Sequence, residues 1–166
     1  MQQRRPYQHD NRGQQRPQIK TKKYDVKETY LALKEDYSKR AKIVLEELFE
    51  QDGKNVIKTN QVRNIYSLVL PFFEYFNYGN LPDETKTKDN LKKIKIKIAY
   101  QIGRDKQNRR GDWELGIKTF NDITNVLELI DLVLDSKDFF NDLKLYANYF
   151  EALVAYHRFF ESGGNK

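Results

Sequence analysis

The sequence predicts an all-α protein, a five-helix bundle behind a disordered basic N-terminal tail. Two observations predict it. Apolar residues recur at three- and four-residue spacing through five blocks, the period of a helix that buries one face. No convincing strand appears: only IKIKI at Ile94–Ile98 alternates with period two, and Leu91 and Ile102 on its flanks extend the helical spacing instead. At 166 residues the chain has the length of one domain, expected over residues 24–166.

Residues 1–23 are rich in Gln and Arg, with Pro6 and Pro17. They bury too little apolar surface to offset the entropy of ordering, so disorder is expected. Such a tail is either a basic arm for nucleic acid or a dispensable extension.

The first helix is expected over residues 24–51, where Tyr30, Leu33, Tyr37, Ala41, Val44, Leu45 and Leu48 share a face and Asp52-Gly53 supplies the stop. Thr59 or Asn60 should cap the second, whose inner face carries Val62, Ile65, Tyr66, Val69 and Phe73. Pro71 should kink or break it, because proline lacks an N–H and crowds the preceding turn. The aromatic run FFEYFNYGNLP that follows is read as core packing, with a base-stacking platform as the alternative.

The third helix contains NLKKIKIKIAYQIGR from Asn90 and ends near Gly103 or shortly after, with residues 104–111 expected as loop. Leu91, Ile94, Ile98 and Ile102 fall on one side, and Lys93, Lys97, Tyr100 and Arg104 on the roughly opposite side. Lys95 falls close to the apolar stripe. Asp112 can cap a fourth helix from Trp113 to about Leu134, with Ile117, Phe120, Ile123, Leu127 and Ile130 inward. Ser136 is the natural cap of a fifth, Lys137 to about Glu161, with Phe139, Leu143, Tyr146, Phe150, Leu153 and His157 on one stripe.

The formal charge of +6 is misleading as a whole-chain number. The tail holds seven Lys/Arg against one Asp and accounts for all of it, so the body is neutral. Charge in the body is nevertheless segregated. Residues 84–110 carry ten basic and three acidic side chains, whereas residues 111–166 carry five basic and ten acidic. A body with such a dipole can hold a polyanion on one side.

Several classes of function lose support. With no cysteine there is no disulfide or thiolate metal site, and the only histidines are His9 in the tail and His157. His157 lies among aromatics and is read as a hydrogen-bonded residue at the core edge. No nucleophile–base pair, Glu-x-x-His metal motif or glycine-rich phosphate loop is recognisable, so neither catalysis nor a metal or other cofactor is expected. No run of about 18 apolar residues suggests a membrane span, and no apolar signal segment opens the chain, which points to the cytoplasm.

Phosphate binding needs cations spaced along one surface. On an ideal helix Lys93 and Lys97 lie about 6 Å apart along the axis and Lys97 and Arg104 about 10 Å, close to one and two internucleotide steps. Arg63, near the start of the second helix, gains from that helix's dipole and free N–H groups.

TNQVRNIY at Thr59–Tyr66, KIKIKIAYQIGR at Lys93–Arg104 and YFEALVAYHRFF at Tyr149–Phe160 occur in this order. With them the chain resembles the small helical subunit of type III-A CRISPR effector complexes, the Csm complex, over residues 59 to the C-terminus. The resemblance implies a five-helix bundle without nuclease activity. It implies several copies stacked beside other subunits of the complex, contacting mainly the target-strand backbone of the guide RNA–target RNA duplex. By motif position the RNA-binding residues are then Gln61, Arg63, Lys93, Lys97 and Arg104. Tyr100 supports their placement or packs on a neighbour, and Arg109 and Arg110 lie in a more variable loop. Two other readings stay open from the residues alone: a helical adaptor whose basic helix meets an acidic protein, and a stand-alone nucleic-acid-binding protein.

Overall fold

The computed structural model describes residues 23–52, 57–77, 82–107 and 116–164, with backbone alone at residues 51, 52, 77 and 104–107. Six helices occur among them: α1 (Val26–Asp52), α2 (Thr59–Asn77), α3 (Glu84–Gln107), α4 (Ile117–Thr124), α5 (Leu129–Leu134) and α6 (Phe139–Glu161). No strand occurs among the described residues. The all-α bundle is as expected. The N-terminal tail lies outside the described residues as far as residue 22.

Helix α6 is the axis of the packing. Its predicted stripe, Phe139, Leu143, Tyr146, Phe150, Leu153 and His157, is buried throughout, joined by Asp142, Ala147, Tyr149 and Phe160. Helices α1 and α2 lie along α6, and α5 meets it as well. Helix α3 sits outside this layer, packed on α4 and α5 and touching α2 only slightly. A helix so placed buries one stripe and leaves the rest of its circumference to solvent or to a partner.

Aspartates start three helical runs. Asp25 Oδ1 accepts from the backbone N–H groups of Lys27 (2.9 Å) and Glu28 (3.0 Å), and Asp83 Oδ1 accepts from that of Lys86 (2.9 Å). The third lies inside α1. Asp36 leaves helical geometry (φ −160°, ψ 95°) and caps the restart through Lys39 N–H at 2.8 Å. The even spacing of apolar residues conceals this break.

Four expectations are corrected. Helix α2 continues through Pro71 to Asn77. The carbonyl that proline deprives of a partner is that of Ser67. Both residues are exposed, so water can reach the freed carbonyl, while buried Val69 and Phe72 hold the segment in place. Neither Thr59 nor Asn60 caps α2. Lys58 stands at that position, and its N–H donates to the Gln61 side-chain oxygen (3.1 Å), the reciprocal half of a capping box. Ser136 lies two residues ahead of the cap of α6, which is Asp138, and its hydroxyl accepts from Asp138 N–H at 2.9 Å. Helix α3 continues past Gly103, so Arg104 is helical rather than part of a loop.

The fourth predicted helix is two, divided at Asn125, which adopts left-handed geometry (φ 57°). This turn is built from buried polar groups. Asn125 Nδ2 donates to Tyr24 O (3.2 Å) and Thr29 Oγ1 (3.0 Å), which ties the break to the start of α1. Asn121 Oδ1 accepts from Leu127 N–H (2.9 Å), and the carbonyls of Val126 and Thr124 accept from the hydroxyls of Tyr146 (3.0 Å) and Tyr149 (3.1 Å) on α6. Satisfied in this way, backbone groups that a helix would have paired can be buried. The predicted starts Asp112 and Trp113 lie outside the described residues, and the cap of α4 is Gly116.

Candidate nucleic-acid interface

Leu91, Ile94 and Ile98 bury the inner stripe of α3, with Ile102 partly covered. That fixes the helix's rotation and hence what its outer face presents. Lys93 and Lys97 are exposed on that outer face, as expected. Neither side chain makes a hydrogen bond or ion pair among the described residues.

Other lysines of α3 are engaged. Lys88 bonds Glu84 (2.7 Å) and lies over the Phe139 ring (4.9 Å), and Lys92 pairs with Asp89 (3.3 Å). Lys95 reaches across to Asp131 on α5, which agrees with its place beside the apolar stripe. These pairs are surface contacts of small net value. Their effect is to neutralise the flanks while the outer face keeps its charge.

Lys86 was missed by sequence reasoning that followed the helix from Asn90. With α3 starting at Glu84, Lys86 falls in helical phase with Lys93, Lys97 and Arg104, exposed and without an ionic partner among the described residues. The signal was available in Pro82-Asp83, a stop followed by a cap. From Lys86 to Arg104 the row spans about 27 Å of helix axis at 1.5 Å per residue. Only the backbone of Arg104 is described, and Arg109 and Arg110 lie outside the described residues.

Arg63 is exposed just past the first turn of α2 and has no side-chain partner among the described residues. It occupies a different helix from the row. Gln61, in the first turn, is half-buried with its side-chain oxygen committed to Lys58 N–H. Tyr100 lies in the outer face of α3 at 65% exposure, and Ile96, one turn before it, is 69% exposed.

His157 is a structural residue. It is buried, its Nε2–H donates to the Ile57 carbonyl (2.7 Å) and its Nδ1 lies 3.3 Å from Thr59 Oγ1. The Thr59 hydroxyl in turn donates to Glu161. Burial lowers the His157 pKa, opposed by the Ile57 carbonyl and the Glu161 carboxylate. The cluster fastens the start of α2 to the end of α6. Among the described residues no group of three or more His, Cys, Asp or Glu could hold a metal ion, and no helix is long and apolar enough to cross a membrane.

Sequence comparison identifies the family. A family model described as Csm2 Type III-A matches residues 34–163, from the middle of α1 to the end of α6. The chain is also similar to a protein of Enterococcus italicus described as "CRISPR system Cms protein Csm2", with 33% identity over 112 residues that cover 66% of this chain and 71% of that one. The matched region takes in all three helices that carry the sequence motifs, with the row on α3 at its centre. The chain therefore belongs to the type III-A Csm2 family, and is a small subunit of the type III-A CRISPR effector complex.

Proposed function

We propose that the protein is a non-catalytic, cytoplasmic RNA-binding subunit. Several copies stack within the effector complex, beside its other subunits, and hold the sugar-phosphate backbone of the target strand along the guide RNA–target RNA duplex. The observation that carries this reading is the row of lysines on α3. Lys86, Lys93 and Lys97 point away from the core without anionic partners among the described residues, and Arg104 continues their phase. Arg63 adds a contact from α2, and Gln61 holds the first turn that presents it. Arg109 and Arg110 extend the basic character past the end of α3. Contacts of this type position a strand without reading bases. That suits a complex in which guide pairing supplies the sequence. No metal or other cofactor enters the proposal.

Membership of the family favours an assembly subunit over a stand-alone nucleic-acid-binding protein. The test is charge reversal, Lys93→Glu with Lys97→Glu, measured by titration with an unstructured single-stranded RNA at low salt. Affinity is expected to fall while helicity stays that of the unmodified protein, because neither side chain contributes to the core. Unchanged affinity would remove the row from the interface and favour an acidic protein as its partner.

A further inference from the structure

Ile96 and Tyr100 are the two most exposed large hydrophobic side chains among the described residues, at 69% and 65%. They lie one turn apart on the same helix. Neither packs on the core, and the Tyr100 hydroxyl has no partner among the described residues. Nothing within the bundle accounts for them, although the polar face of α3 offers every opportunity for a charged residue.

Their placement is regular. At 100° per residue Ile96 and Tyr100 form a row that runs beside the Lys93–Lys97 row, on the side away from the buried stripe. Each row has a pitch of about 6 Å along the axis, near one nucleotide step of a strand. One row offers cations and the other offers apolar surface. A nucleic-acid strand laid along α3 has the same two-row character, with phosphates on one edge and the faces of the sugars on the other. Ala99 and Gly103, also exposed, add no bulk beside the apolar row, and a Cβ on Gly103 would meet only open space, so a strand can approach closely.

We infer that Ile96 and Tyr100 form a ribose-contacting row: they pack against successive sugars of the RNA strand whose phosphates the lysines hold. This rests on the RNA-binding function proposed above and adds to it a contact independent of charge. Charge complementarity selects the occupant. An apolar pair bordered by unpaired Lys93 and Lys97 suits a polyanion with exposed C–H surface better than it suits the apolar face of another helix. A strand gripped only through charge can slide along the lysines, whereas packed sugars set its height and register on the helix.

The experiment separates the two rows by their salt dependence. The full chain is titrated with a 20-nucleotide oligouridylate at several KCl concentrations, and compared with Ile96→Ser/Tyr100→Ser and with Lys93→Gln/Lys97→Gln. Removing lysines should flatten the slope of log affinity against log salt. Removing the apolar row should weaken binding about tenfold at every salt concentration, the scale of one or two lost packing contacts, with the slope unchanged. Both variants alter exposed positions, so the thermal midpoint should hold. If the lysine variant weakens binding and the apolar variant does not, the ribose-contacting row is overturned and the RNA-binding function stands. If neither variant changes binding, both fall. If the apolar variant keeps its RNA affinity but no longer co-purifies with the effector complex, the row is a protein–protein contact and the inference is overturned.

Discussion

His157 shows how one buried side chain can tie stability to pH. Burial holds its pKa below the ordinary 6.5, so the folded state binds its proton less readily than the unfolded chain does. Protonation therefore favours unfolding, and stability falls as pH drops below about 6.5. Glu161, lowered by the Thr59 hydroxyl, acts in the same direction but titrates in the carboxylate range, at lower pH. His157→Gln should flatten the loss of urea midpoint between pH 7.5 and 5.5. An equal loss in the variant would place the titration elsewhere. Phe150 tests packing alone. It is fully buried, with its ring near Tyr66 and Tyr146 at centroid distances of 6.1 Å, and Phe150→Ala should cost about 3–5 kcal/mol by chemical denaturation. Residues such as these were legible in the sequence, because α6 keeps one helical phase for more than six turns and every predicted inner position is buried. The roles of Thr59 and Gln61 were not. Thr59 is a good cap by type, but α6, about a hundred residues away in sequence, claims its hydroxyl, and Gln61 instead accepts from Lys58 N–H at the start of α2.

Element boundaries departed from the periodicity where a local cap, as at Asp36 in α1, or a tertiary hydrogen bond competed with it. The division of α4 from α5 depends on Asn125, whose left-handed backbone and buried amide are held by Tyr24 and Thr29 from the far end of the chain. The residues around it, FNDITNVLEL, continue the helical pattern of apolar positions and gave no sign of a break beyond two asparagines. Asn125→Ala should destabilise by about 2–3 kcal/mol, combining left-handed strain with two lost hydrogen bonds. Asn125→Gly removes the strain but not the lost bonds, so it should recover about 1 kcal/mol of that. A glycine variant no more stable than the alanine variant would mean that backbone conformation is not what asparagine supplies. Pro71 makes the opposite point. Its cost depends on whether water can reach the deprived carbonyl, and the answer lies in the rotation of α2 about its axis. The candidate site was legible in part for the same reason. The phase of Lys93, Lys97 and Arg104 followed from the buried stripe of α3, but Lys86 required the true start of the helix, and Ile96 was hidden in an alternating run that drew attention to strand or helix instead of to exposure.

At the scale of the whole molecule, a neutral bundle carries its positive charge on its outermost long helix. The acidic excess lies elsewhere in the body: α1 carries seven acidic against five basic side chains, and residues 111–166 carry ten against five. This arrangement limits what one copy can do. Three to four phosphate contacts per copy imply a log–log salt slope of only about −2 to −3 on a single strand, a weak and easily screened grip. Copies stacked along one target strand would add their contacts without adding to the cost of bringing the strand to the complex, so affinity should grow with the number of copies engaged. The proposed mode of action thus predicts a particular length dependence. For the purified effector complex, extending the paired target RNA should steepen the salt slope by about 2–3 for each further copy reached, in discrete increments rather than smoothly. Lys93→Glu/Lys97→Glu, introduced into every copy, should shrink each increment by about 1–1.5 while leaving the complex assembled, since these side chains face away from the bundle's own contacts. If the increments keep their size in the charge-reversed complex, the target strand is held by other subunits. If the complex fails to assemble, the row on α3 serves a neighbouring protein, and the RNA reading of this surface is wrong.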